Sequence, residues 1–269
     1  MIPPTGAARA GVRGRVGGNV GGNEIPDSGV AYGVSDHNTY VHNISDGSLE
    51  YTLSESGDDV RAVALSDSYV AYGGFDNNTY VHNISDGSLE YTLSESGSSI
   101  DGVALSDSYV AYGAYDNNTY VHNISDGSLE YTLSESGGPV RGVALSDSYV
   151  AYGGGDNNTY VHNISGGSLE YTLSKSGDSV KGVALSDSYV AYGSLDYDTY
   201  VHNISDGSLE YTLSESADNV IGVALSDSYV AYGGSDYNTY VHNISDGSLE
   251  YTLSESGSYV KGVALIPSL

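Results

Sequence analysis

The hexapeptide Tyr-Val-His-Asn-Ile-Ser begins at Tyr40 and recurs at Tyr80, Tyr120, Tyr160, Tyr200 and Tyr240, every 40 residues without slippage. A fixed period of this length restricts a chain to solenoids, propellers or arrays, because each copy buries its apolar surface against the next. In the second copy, four short runs read as strands a to d: Val60 to Leu65, Tyr69 to Gly73, Thr79 to Ile84 and Leu89 to Ser94. Asp, Asn, Ser and Gly fill the gaps between them, the side chains that favour tight turns, and no run has the period or length of a helix. Each unit therefore reads as a four-stranded antiparallel meander.

Side-chain size orders the strands radially. Strand a is small and almost continuously apolar, b and c bring in Tyr69, Tyr72 and Tyr80, and d alternates Leu89, Tyr91 and Leu93 with Glu90, Thr92 and Ser94. Such a taper suits wedge-shaped blades around an axis, and the expected fold is an all-β, six-bladed β-propeller of four-stranded antiparallel blades. The first copy has b, c and d but no recognisable a strand, and the chain ends on one, Val260 to Leu265. The ring is expected to close by pairing of this C-terminal a strand with the N-terminal b, c and d strands. An open array is the alternative. Residues 1–26, rich in Gly, Ala and Val and holding Arg9, Arg13 and Arg15, read as a disordered or non-structural leader, and residues 27–269 as the propeller.

Composition limits the function. With 35 Asp and Glu against 8 Lys and Arg, the formal charge of -27 disfavours nucleic acid and anionic membrane surfaces. The absence of cysteine excludes disulfides and thiolate chemistry. Strong acidity with 39% hydrophobic residues suits a folded protein of a high-salt environment. A cytoplasmic monomer is expected, an extracellular location being the alternative.

The stretch from Asp76 through Asn77, Asn78, Thr79, Tyr80 and Val81 to His82 resembles the Asp-x5-Trp-Asp signature of WD-repeat blades. The Asp recurs at Asp36, Asp116, Asp156, Asp196 and Asp236. The Trp position is held by His42, His82, His122, His162, His202 and His242, and the following Asp position by Asn43 and its equivalents. The Gly-His pair of that family is missing, and the Asp-Gly-Ser-Leu-Glu segment is similar to quinoprotein-like propellers. The resemblance covers about 240 residues and implies a rigid scaffold that usually binds other proteins.

Because the copies are nearly identical, their disagreements stand out. Ten variable columns, those of Val34, Ser35, His37, Asn38 and of residues 57–62, fall in the b-to-c turn and the d-to-a loop. These connections share one end of a meander. They introduce Phe75, Tyr115, Leu195, Tyr197, Tyr237 and Tyr259 among small polar residues, a palette similar to that of a paratope. One column carries Arg61, Arg141, Lys181 and Lys261 with Asp101 and Ile221, which would form a cationic patch facing one end of the central channel. The leading expectation is a non-enzymatic scaffold whose variable face binds a protein partner. A glycan-binding propeller is the alternative, as is a recently amplified blade without a selected task.

The Asp76 and His82 pair invites an acid-base reading, but repetition in every copy points to a structural hydrogen bond. Six His on equivalent blades should lie far apart, and the spaced ligands and glycine of a calcium loop are absent, so no metal and no cofactor are expected.

Overall fold

The computed structural model describes residues 11–14, 28–43, 46–226 and 228–265. They form six four-stranded antiparallel sheets, the blades of a six-bladed β-propeller. Blade 1 consists of β1 (Gly11–Gly14), β2 (Ser28–Gly33), β3 (Thr39–Asn43) and β4 (Leu49–Leu53). Blade 2 consists of β5 (Val60–Leu65), β6 (Tyr69–Gly74), β7 (Thr79–Asn83) and β8 (Leu89–Leu93). Blades 3 to 6 begin at Ile100, Val140, Val180 and Val220 and repeat the pattern of blade 2. Among the described residues there is no helix, and so none long and apolar enough to cross a membrane.

Turn chemistry holds each meander. Between the third and fourth strands, Asp86 Oδ1 accepts the Ser88 N–H at 3.0 Å, and Gly87 takes a φ of 71°, the left-handed region that costs glycine little. The register shifts between Val81 and His82 mark a bulge that twists the outer edge of the blade.

The apolar core lies in layers between consecutive blades. Ala71, Val81 and Leu93 of blade 2 pack against Val110, Tyr112, Tyr120 and Ile124 of blade 3, and equivalent layers join blades 1 to 6 in succession. The glycine at Gly113 is required by this packing, since a Cβ there would lie 2.3 Å from the Cγ1 of Val140, the first inner-strand residue of the next blade. Near the axis, a Cβ on Gly142 would lie 3.0 Å from the Val183 nitrogen. The inner strands thus approach closely around a channel of about 190 Å³ lined by Ala62, Val63, Gly102, Val143, Gly182 and Lys261, among others.

The two chain ends correct the expected closure. The partner of β2 is β1, with Val12 opposite Val30, so residues 11–14 of the supposed leader are a blade strand; residues 1–10 and 15–26 lie outside the described residues. Residues 260–265 form no ladder, although they sit where a following inner strand belongs: the Val260 N–H donates to the Gly234 carbonyl at 2.8 Å, and Val260 lies against Gly233. Loop entropy accounts for the exchange. Only 13 residues separate β1 from β2, so the nearer segment takes the edge at lower closure cost. Among the described residues, the facing surfaces of blades 6 and 1 are more exposed than the faces between other blades. Leu253 is 45% exposed where its five equivalents are 4%, and Tyr32 is 37% exposed where Tyr72 and its later equivalents are fully buried.

Candidate functional site

Two separate side-chain networks recur in the blades, and the expected Asp76 to His82 hydrogen bond is not one of them. Asp76 accepts from the Tyr80 hydroxyl at 2.8 Å, from the Asn78 N–H at 3.3 Å and from the Gly57 N–H at 2.9 Å. His82 Nδ1 meets the Gly87 carbonyl at 3.1 Å, and Nε2 faces the Tyr72 hydroxyl at 3.2 Å and Glu55 at 3.1 Å. The reason is geometric. Asp76 sits in the turn at one end of the blade, whereas His82 lies three residues into the next strand and points at its far turn. The Tyr72 hydroxyl donates to Glu55 at 2.7 Å, so this second network ties one blade to the one before it. Sequence marked Tyr72 only as a bulky residue of the second strand and did not mark Glu55.

Electrostatics follow from these contacts. Burial alone would raise the Asp156 carboxyl, but hydrogen bonds from Tyr160, the Gly137 N–H and Asn158 outweigh it and hold the group below its ordinary range. Burial, aided by the hydrogen bond to Asp156, pushes Tyr160 up to about 12, so the donor keeps its proton at neutral pH. Because the folded carboxyl is depressed, its stabilisation is present above the unfolded value and is lost as pH falls through the folded one.

Blade 5 departs from the pattern because Lys175 stands where the other copies have Glu. Burial depresses the His202 imidazole, the Gly207 carbonyl opposes this, and Lys175 adds to the depression. A base depressed in the folded state loses stability as pH drops below its unfolded value, about 6.5. Lys175→Glu is therefore expected to stabilise the protein by about 1 kcal/mol through a restored contact to Tyr192. It should also flatten the decline between pH 7 and 5, as read by thermal unfolding at several pH values.

The variable columns are brought together as the meander requires. In blades 2 to 6 the b-to-c turn bonds to the d-to-a loop before it, with the Phe75 N–H on the Asp59 carbonyl at 3.1 Å. It also reaches the loop after it: Asn77 Nδ2 lies 3.5 Å from the Gly97 carbonyl, Asn157 Nδ2 3.3 Å from that of Gly177, and the Tyr237 and Tyr259 rings 5.6 Å apart. The face is thus a succession of composite loop pairs from blade 1 to blade 6, each with its own chemistry. Phe75, Tyr115, Tyr197, Tyr237 and Tyr259 are exposed on it, while Leu195 is half-buried.

The cationic patch is reduced by an internal ion pair. Arg61 Nε contacts the buried Asp101 carboxylate at 2.7 Å and its guanidinium lies 4.6 Å from the Phe75 ring centre, so much of its charge is engaged within the protein. Arg141 and Lys181 are half-buried, and Lys261 is exposed beside the channel. A cluster not singled out from sequence also lies on this face: His37, Asp58 and Asp59 converge from two loops. The signal was present in the copies, since His37 is the one histidine outside the set of six.

No protein-family model matches the chain, and no curated protein matches its sequence.

Proposed function

We propose that the protein is a non-enzymatic recognition scaffold whose variable face binds a protein partner. The observation that carries this reading is the conformation of Tyr197 and Tyr237. Both occupy the left-handed region, with φ of 79° and 71°, at a turn position where three other copies place Asn. Asn tolerates that region and Tyr does not, at a cost of about 1 kcal/mol each. Their rings are 48% and 45% exposed, so core burial offers little to offset the strain. A binding surface gives a reason to keep a strained aromatic at the same exposed point in two copies.

The recurrence of the buried networks in nearly every blade supports a structural role for them and argues against chemistry at any one. The Asp and His positions, at the turn and strand where WD-repeat blades carry their signature, support kinship with that family. The acidic composition supports a high-salt setting. The exposed Tyr237 and Tyr259 pair favours a glycan as the second reading, because tilted aromatic rings beside polar groups suit pyranose stacking.

The test compares the natural chain with Tyr197→Asn/Tyr237→Asn in molar salt. The double variant is expected to be more stable by about 1–2 kcal/mol, from relief of backbone strain, and to lose at least about tenfold in capture of the protein partner retained by the natural chain. Stabilisation with unchanged capture would remove the binding role of this face. Capture competed by free sugars would move the assignment to a glycan.

A further inference from the structure

We propose that His37, Asp58 and Asp59 form a site for one divalent transition-metal ion of the zinc or cobalt type. One ring nitrogen of His37 and one carboxylate oxygen from each aspartate all lie within 4.8 Å of one another. Donors bound to a single ion at 2.0–2.2 Å sit about 3–3.5 Å apart, so closing on an ion needs side-chain movements of about 1 Å. Two carboxylates and an imidazole suit zinc, cobalt or manganese, while the imidazole selects against calcium and magnesium, which take oxygen ligands.

The backbone carrying the donors is pinned from both sides. The Ser56 hydroxyl donates to the Asp58 carbonyl at 2.6 Å, the Asp59 carbonyl accepts from Phe75, and Asp58 Oδ1 accepts the Asp59 N–H at 2.8 Å. The Asp59 carboxylate and the His37 ring extend from this framework at the outer face, where His37 and Asp58 are exposed and Asp59 is half-buried. The arrangement belongs to one loop pair only. His37 is the sole histidine of its column and Asp59 the sole acid of its own, so the convergence does not follow from the general acidity of the chain. Three protein donors leave coordination positions for water or for a group from a bound molecule.

The experiment titrates Co2+ into the full chain in molar NaCl and follows visible d–d absorption, with excess Mg2+ present to occupy diffuse acidic sites. One saturable site is expected. His37→Asn keeps every carboxylate and installs the residue that three other copies carry, so folding is preserved; the affinity of that site is expected to fall about tenfold or more. A second variant transplants the site. Asn157→His/Ser179→Asp recreates the trio around the existing Asp178 and is expected to raise the stoichiometry from one ion to two. Co2+ binding unchanged in His37→Asn would overturn the proposal, and a folded transplant still binding a single ion would overturn the claim that these three side chains suffice.

Discussion

Tyr112→Ala is expected to lower the stability of the protein by about 3–5 kcal/mol, the range for removing a large buried aromatic from a packed core. Tyr112 is fully buried between blades 2 and 3, its ring stacks 5.5 Å from His122 and 5.2 Å from Tyr120, and its hydroxyl donates to Glu95 at 2.8 Å. Burial, reinforced by the Glu95 contact, raises its ionisation far above the ordinary value, so it stays a donor throughout the accessible pH range. Tyr112→Phe keeps the ring and loses only the hydrogen bond, at a cost of about 1–2 kcal/mol. Tyr32 provides an internal control. It occupies the equivalent position on the exposed side of blade 1, and its hydroxyl lies 3.4 Å from His42 Nε2. Tyr32→Ala is therefore expected to cost about 1 kcal/mol. Denaturant midpoints for the three variants would check all three numbers, and equal losses for Tyr32→Ala and Tyr112→Ala would mean that the face of blade 1 is covered in solution.

The second large effect is that of salt. Folding gathers 35 carboxylates and only 8 cationic side chains into one molecule, and the repulsion among them opposes the compact state. At 1 M salt the Debye length is about 3 Å, shorter than most distances between surface carboxylates, whereas at 0.01 M it is about 30 Å and spans many neighbours. Dilution is expected to remove stability comparable with the whole margin of a domain, roughly 5–15 kcal/mol, and to abolish the cooperative transition. Circular dichroism during dilution from molar to millimolar NaCl reads this directly, and a strand signal that persists would show that the charges are already compensated. Hydrogen exchange should report loss first at blade 6, whose outer strand is exposed along its length.

Forty-residue spacing, turn composition and the radial gradient of side-chain size together determined six antiparallel blades, since each of these is a local property that the meander copies directly. The clustering of variable columns on one face was legible for the same reason, because connections alternate ends in any four-stranded meander. Partner choice was not legible. Asp76 and His82 lie six residues apart and look paired in sequence, yet one bonds within its turn and the other reaches back to Glu55 of the preceding blade. Arg61 and Asp101 occupy the same column in successive copies, and only blade packing turns them into an ion pair.

The chain ends show the same division. Val260 to Leu265 has the pattern of an inner strand, whereas the segment that pairs with β2 is Gly11–Gly14, which no repeat marks as a strand. His37 stands out as the one histidine outside the repeated set, but its meeting with Asp58 and Asp59 is set by the loops that carry them. Sequence by itself determined the blade, the number of blades and the face that varies, because strand alternation and turn preference act between near neighbours. Tertiary structure alone decided which segment occupies the edge of blade 1, which charges pair and where the three metal-type donors converge, because those outcomes depend on distances between groups in different loops or blades, which periodicity does not encode.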